Sequence, residues 1–225
     1  MTTDTPSTTT STTTTATTTS TAVPVSPHKQ PETPLRLAVV VGSVREGRYG
    51  PTVADWFVRQ AEPRTDVHVD LVDLAETPLG SASPSPAPSS PEVAASLAAL
   101  TPRLAAADAF VVVTPEYNHS FPAPLKNAID WHGAEWQAKP VGFVSYGGLS
   151  GGLRAVEHLR QVFAELHAVT VRETVSFHGV WDRFGEDGLP KDAEGANGAA
   201  KTMLDQIVWW AGALREARAA HPYGA

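Results

Sequence analysis

Residues 37–41, Leu-Ala-Val-Val-Val, form an unbroken apolar run, the signature of a strand covered on both faces in a parallel sheet. The polar, glycine-bearing stretch 42–50 follows as a loop, and Pro51 then opens a helix at a position where its missing N–H costs nothing. Val53, Trp56, Phe57 and Ala61 carry the helical rhythm onward. The pattern repeats along the chain. Residues 67–72 read as a second strand, and 92–107 as a helix with Val93, Leu97, Leu100 and Leu104 on one side. Residues 109–114 read as a third strand and 125–131 as a third helix. A fourth strand at 141–146 leads to a helix opened by Gly151 or Gly152, with Leu153, Val156, Leu159, Phe163 and Leu166 on one face. A fifth strand at 168–177 precedes a last helix at 199–220, with Leu204, Ile207, Trp210 and Leu214 turned inward and Trp209 outside that face.

Five strands alternating with five helices imply a doubly wound α/β fold with a parallel sheet and right-handed crossovers. A dinucleotide-binding fold wants a sixth strand. The count fits a flavodoxin-like three-layer sandwich with a five-stranded parallel sheet of order 2-1-3-4-5. The domain is expected to run from 35 to 221. Residues 1–34 are so rich in Thr, Ser and Pro that they cannot offset their ordering entropy, and a disordered tail is the expectation. The Pro-, Ser- and Ala-rich stretch 74–91 is long for a strand-to-helix connection, the kind of segment that forms lids or stays disordered.

Composition narrows the function. The chain has 225 residues, 42% of them hydrophobic, enough for one core. A net charge of -7 argues against a nucleic-acid partner, which usually needs a basic face. With no cysteine, disulfides, thiolate zinc sites and cysteine nucleophiles are excluded. No apolar run approaches the roughly eighteen residues of a membrane span, and no secretory h-region follows Met1, so a cytoplasmic protein is expected. His158, His167 and His178 have no metal-ligand spacing with carboxylates, and no metal is expected.

Ligands of open α/β sheets sit at the carboxyl ends of the strands, and three loops there carry chemistry. The first is Gly42-Ser43-Val44-Arg45-Glu46-Gly47-Arg48-Tyr49-Gly50-Pro51-Thr52. It matches neither the G-x-G-x-x-G nor the Walker pattern, yet it joins a helix N-terminus to two hydroxyls and two arginines, donors that suit a phosphate. The second is the turn Pro115-Glu116-Tyr117-Asn118, polar and aromatic, at the end of the third strand. The third is Ser145-Tyr146-Gly147-Gly148-Leu149-Ser150-Gly151-Gly152, whose glycines allow close backbone approach to a ligand. On this edge of such a sheet, a flavin mononucleotide fits with its phosphate on the first loop and its ring against the other two.

Gly42-Ser43-x-Arg45, Thr-Pro-Glu-Tyr-Asn with Pro-x-x-Leu-Lys-Asn-Ala-Ile-Asp, and Ser-Tyr-Gly-Gly together resemble the NAD(P)H-dependent FMN reductase family, over residues 35–178. That family includes quinone, chromate and azo-dye reductases. The resemblance implies bound FMN, NADPH or NADH as co-substrate, a small-molecule electron acceptor, and a homodimer or homotetramer with FMN near a subunit interface. By position, Ser43, Arg45 and Thr52, joined by Arg48, would hold the phosphate. Pro115, Glu116, Tyr117 and Asn118 would border the flavin, largely through backbone groups. Tyr146, Gly147 and Gly148 would flank its pyrimidine end. The 74–91 stretch departs from the shorter, leucine-richer loop the resemblance suggests.

The implied chemistry is a ping-pong hydride transfer through flavin N5, aided by a Gly147 or Gly148 amide, with no side chain serving as acid or base. His119, inside the second motif, is expected to be a solvent-facing loop histidine. Lys126, Asn127 and Asp130 read as a solvated or subunit-facing helix face, and Trp131 and Trp136 as core or interface aromatics. Two other readings stay open: a flavin reductase that releases FMNH2 to a partner monooxygenase, and a non-catalytic FMN-binding carrier or regulatory module.

Overall fold

A computed structural model describes residues 1–2, 33–80 and 90–224. Nearly all of the expected Thr-rich tail and the centre of the Pro-rich connection lie outside the described residues. The elements run β1 (Leu35–Val41), α1 (Gly50–Ala61), β2 (Val67–Asp73), α2 (Pro91–Ala106), β3 (Ala109–Pro115), α3 (Ala123–Trp131), β4 (Pro140–Gly147), α4 (Leu153–Glu165), β5 (Val169–His178), a 3₁₀ turn (Val180–Asp182) and α5 (Ala193–Ala220). All strand pairs are parallel and the order is β2-β1-β3-β4-β5, the expected topology.

Strand alternation divides the core into two layers. Leu35, Leu37, Val39 and Val41 of β1 face α1 and α5, together with Val111 and Val113 of β3. Ala38 and Val40 face the other side, with Phe110 and Val112, where α2, α3 and α4 pack. The central strands are buried on both faces, which is why they read as continuous apolar runs. The edge strand β2 is different: Val72 is buried while Leu71 is exposed.

Two expectations for the last helix change. α5 starts at Ala193, six residues ahead of the expected 199, because the Asp192 carboxylate accepts the Gly195 N–H at 3.0 Å and caps a glycine- and alanine-rich first turn. The apolar rhythm is silent there. Trp210, expected inward, is 37% exposed; Ala200, Met203, Leu204, Ile207 and Ala211 form the buried stripe instead. Leu214 is half-buried. Trp136 is buried against Phe110 and Phe163, a core aromatic, and Trp131 is half-buried.

The described part of the Pro-rich connection is packed, not loose. Leu74 and Leu79 are buried, and Asn127 donates to the Gly80 carbonyl at 2.9 Å. No described helix is long and apolar enough to cross a membrane.

Candidate active site

The loops after β1, β3 and β4 meet the turn after β5 around a cleft of about 330 Å³, within the size range of small-molecule sites. Arg45, Arg48, Pro115, Glu116, Tyr117, Tyr146, Gly147 and Gly148 line it, together with Gly47, Tyr49, Val180 and Trp181. Three expected residues stand outside that lining. Ser43 is fully buried behind it, and its hydroxyl shares a 2.7 Å hydrogen bond with the Tyr117 phenol. Thr52 sits half-buried in the first turn of α1, and Asn118 is exposed at φ 48°. His119 is exposed beside it, with its ring 6.0 Å from that of His158.

Each loop is held by contacts that fix its shape. Arg48 donates to the Ser43 carbonyl and to the Asp73 carboxylate, both at 2.6 Å, and so clamps the first loop to the end of β2. Two of its five N–H groups are thereby committed. Arg45 is exposed and its guanidinium has no carboxylate partner among the described residues. The N-terminus of α1 has no side-chain cap and no acidic residue in its first turn, and the Gly50 and Thr52 N–H groups find no acceptor among the described residues. A free cation beside an uncapped positive helix end makes an anion site.

Tyr146 adds a donor at the base of that loop. Its hydroxyl is buried without a hydrogen-bond partner among the described residues. A Cβ on Gly50 would sit 3.1 Å from this oxygen and 2.8 Å from a Val41 methyl, so a larger residue there would have to push that side chain aside. Burial, and then the neighbouring Tyr117 phenol, raise the Tyr146 pKa, so the group stays a neutral O–H.

The second and third loops are locked together. The Glu116 carboxylate accepts the Arg154 backbone N–H at 3.1 Å and the Arg154 guanidinium at 3.0 Å, capping α4 from 38 residues away. Burial alone would raise its pKa, but hydrogen bonds from Ser150 and Arg154 outweigh that and hold it below the usual carboxylate range. The Glu116 N–H also donates to the Tyr146 carbonyl at 3.2 Å. Pro115, Tyr117, Gly147 and Gly148 thus share one wall, and the Gly148 N–H has no acceptor among the described residues.

The donor set fits the group implied by the resemblance: free N–H and guanidinium donors suit a phosphate, and an aromatic and glycine wall suits a planar ring. Trp181 and Tyr49 went unrecognised in the sequence. A tryptophan placed just past the carboxyl end of a strand was a signal for the first, and the capping position before Pro51 a weak one for the second.

Comparison with known proteins agrees. The family model for NADPH-dependent FMN reductase matches residues 35–182. A NAD(P)H-dependent FMN reductase of Schizosaccharomyces pombe is 40% identical over 123 residues, 52% of this chain and 60% of that protein, so the chain spans less than two thirds of that relative's length. A quinone reductase of Escherichia coli is 34% identical over 151 residues, 65% of this chain and 78% of its own. Among solved structures, a flavoenzyme NAD(P)H:acceptor oxidoreductase from Paracoccus denitrificans superposes with a TM-score of 0.58 at 25% identity, covering 79% of this chain and 97% of that one. Since the matched span takes in the whole sheet and every loop that lines the cleft, the chain belongs to the NADPH-dependent FMN reductase family.

Proposed function

We propose that this chain holds FMN in the four-loop cleft and uses NADPH or NADH to reduce quinones or similarly flat acceptors by a ping-pong cycle. The observation that carries this reading is the uncapped N-terminus of α1, opening onto a cleft that also holds Arg45, which has no carboxylate partner among the described residues. Quinone reduction is the activity for which the E. coli relative is named. Bound FMN would supply the two-electron relay between nicotinamide and acceptor.

The protein's part is binding and orientation. Arg45, Thr52 and the first-turn N–H groups of α1 hold the phosphate. Arg48, tied to Asp73 and the Ser43 carbonyl, keeps the loop in its binding shape while also lining the cleft. Ser43 braces the Tyr117 phenol, and Glu116 pins the β3 turn to α4. The turn Pro115–Asn118 borders the ring, and Tyr146 and Gly147 flank it. The Gly148 N–H, without an acceptor among the described residues, would stabilise negative charge on the pyrimidine edge of bound FMN. These loops line one cleft of about 330 Å³, and its successive use by nicotinamide and acceptor is what a ping-pong cycle requires. We place the enzyme in the cytoplasm as a homodimer or homotetramer; exposed Trp209 and Trp210 on α5 give it apolar surface for self-association, and light scattering reads the assembly.

The test is anaerobic stopped-flow on FMN-loaded protein. Bleaching of the flavin band by NADH or NADPH, followed by reoxidation on adding a quinone, is the expected result. Protein that takes up no FMN sinks the proposal, and rapid loss of FMN on gel filtration assigns the chain to flavin supply instead.

A further inference from the structure

Trp181 is an exposed indole on a turn that is not itself loose. The Gly179 N–H donates to the Gly148 carbonyl at 2.9 Å, and Arg183 Nε donates to the His178 carbonyl at 2.7 Å. Val180 is 3% exposed and packs into the core layer of α1 and α5. The backbone is therefore pinned on both sides of position 181, yet the indole is 64% exposed and has no aromatic partner among the described residues. Trp56 and Trp136, by contrast, are fully buried.

The indole also faces a particular place. It lines the same cleft as Arg45, and a Cβ on Gly148 would stand 3.6 Å from its Cη2 and 3.8 Å from its Cζ3. Its six-membered ring thus stands beside Gly148, where an added methyl group would just touch it. A rigidly presented aromatic face left open to water is unused contact area, and a planar π-system is the ligand chemistry that uses it. Arg45 and Trp181 line the same cleft of about 330 Å³, so an occupant that sets a phosphate on Arg45 and fills the cleft reaches the indole.

Resting on the function proposed above, we infer that Trp181 is a flavin-contact residue: its indole packs against the planar ring of FMN seated by Gly147 and Gly148, and it sets how tightly this chain retains the cofactor. The nicotinamide and the acceptor exchange during turnover, whereas Trp181 belongs to the permanent wall.

The full-length apoprotein, Trp181→Ala and Trp181→Phe are titrated with FMN by flavin fluorescence, and the visible circular dichroism of bound flavin is recorded. Trp181→Ala raises the FMN Kd about tenfold, the scale of one aromatic stacking contact plus its area. Trp181→Phe recovers most of that loss, and the flavin dichroism changes in the alanine variant. The apoprotein melting temperature stays that of the parent in both, because the indole is exposed. Equal FMN affinity in all three proteins overturns the inference alone. An unchanged FMN Kd with a raised quinone KM also overturns it, since the indole then serves the acceptor. Parent protein that binds no FMN overturns both this inference and the functional reading beneath it.

Discussion

Two helices begin at the same carboxyl edge of the sheet, and the protein treats their N-termini in opposite ways. α4 is closed from within: the Glu116 carboxylate crosses from the β3 turn, only 8% exposed, and takes both the Arg154 N–H and its guanidinium. α1 is left open. It has no capping side chain, no acidic residue in its first turn, and a nearby arginine without a carboxylate partner among the described residues. The positive helix end is the same physical object in both. Where the protein supplies its own anion the end is structural, and where it withholds one the end is available to a ligand. A second carboxylate, Asp73, sits close by, yet Arg48 absorbs it and keeps it from neutralising Arg45.

The contrast can be broken hardest at the closed end. Gly152, the N-cap of α4, has φ 87°, and a Cβ there would lie 2.7 Å from Ser145 Cβ and 2.9 Å from the Tyr146 backbone nitrogen. Left-handed strain and the backbone clash together make Gly152→Ala cost about 3 kcal/mol, read as a lowered urea midpoint. At the open end the loss is in binding, not folding. Arg45→Ala removes a charge-assisted contact of about 2 kcal/mol, a roughly thirtyfold rise in FMN Kd, while riboflavin, which has no phosphate, binds the variant as it binds the parent. Equal losses for FMN and riboflavin would show that the arginine does not meet the phosphate.

The fold was legible because the central strands are apolar on both faces and the glycine- and proline-rich loops stand between them. The site was legible by its loops but not by its division of labour. Sequence places Arg45 and Arg48 in one loop, both facing a phosphate; what separates their roles is Asp73, 25 residues further on, which only the folded chain brings to Arg48. Glu116 looks like a ligand residue in its motif, and its long-range cap on α4 has no local signal. Trp210 was misplaced because hydrophobicity marks a residue as buriable, while the small residues Ala200 and Ala211 decided which face of α5 lies on the sheet. The start of α5 was missed for the complementary reason, since capping by Asp192 leaves no apolar rhythm.

The smallest effect is also the most discriminating. Glu116→Gln keeps the shape of the cap on α4 and removes its charge, costing about 1 kcal/mol near neutral pH. The Glu116 carboxyl titrates below its ordinary value of 4.5 in the folded protein, so the unfolded chain binds its proton first. Its contribution is therefore complete above about pH 4.5 and fades as pH falls through the folded value. Urea titrations of parent and variant should show a stability gap that is constant from pH 7 to 5 and closes in more acidic solution. FMN affinity at pH 7 should move less than threefold, because this carboxylate serves a helix and not the ligand. A gap that ignores pH would mean that the cap works by shape alone. A large loss of FMN would mean that the closed helix end takes part in binding, and that the two N-termini are less distinct than their hydrogen bonds make them.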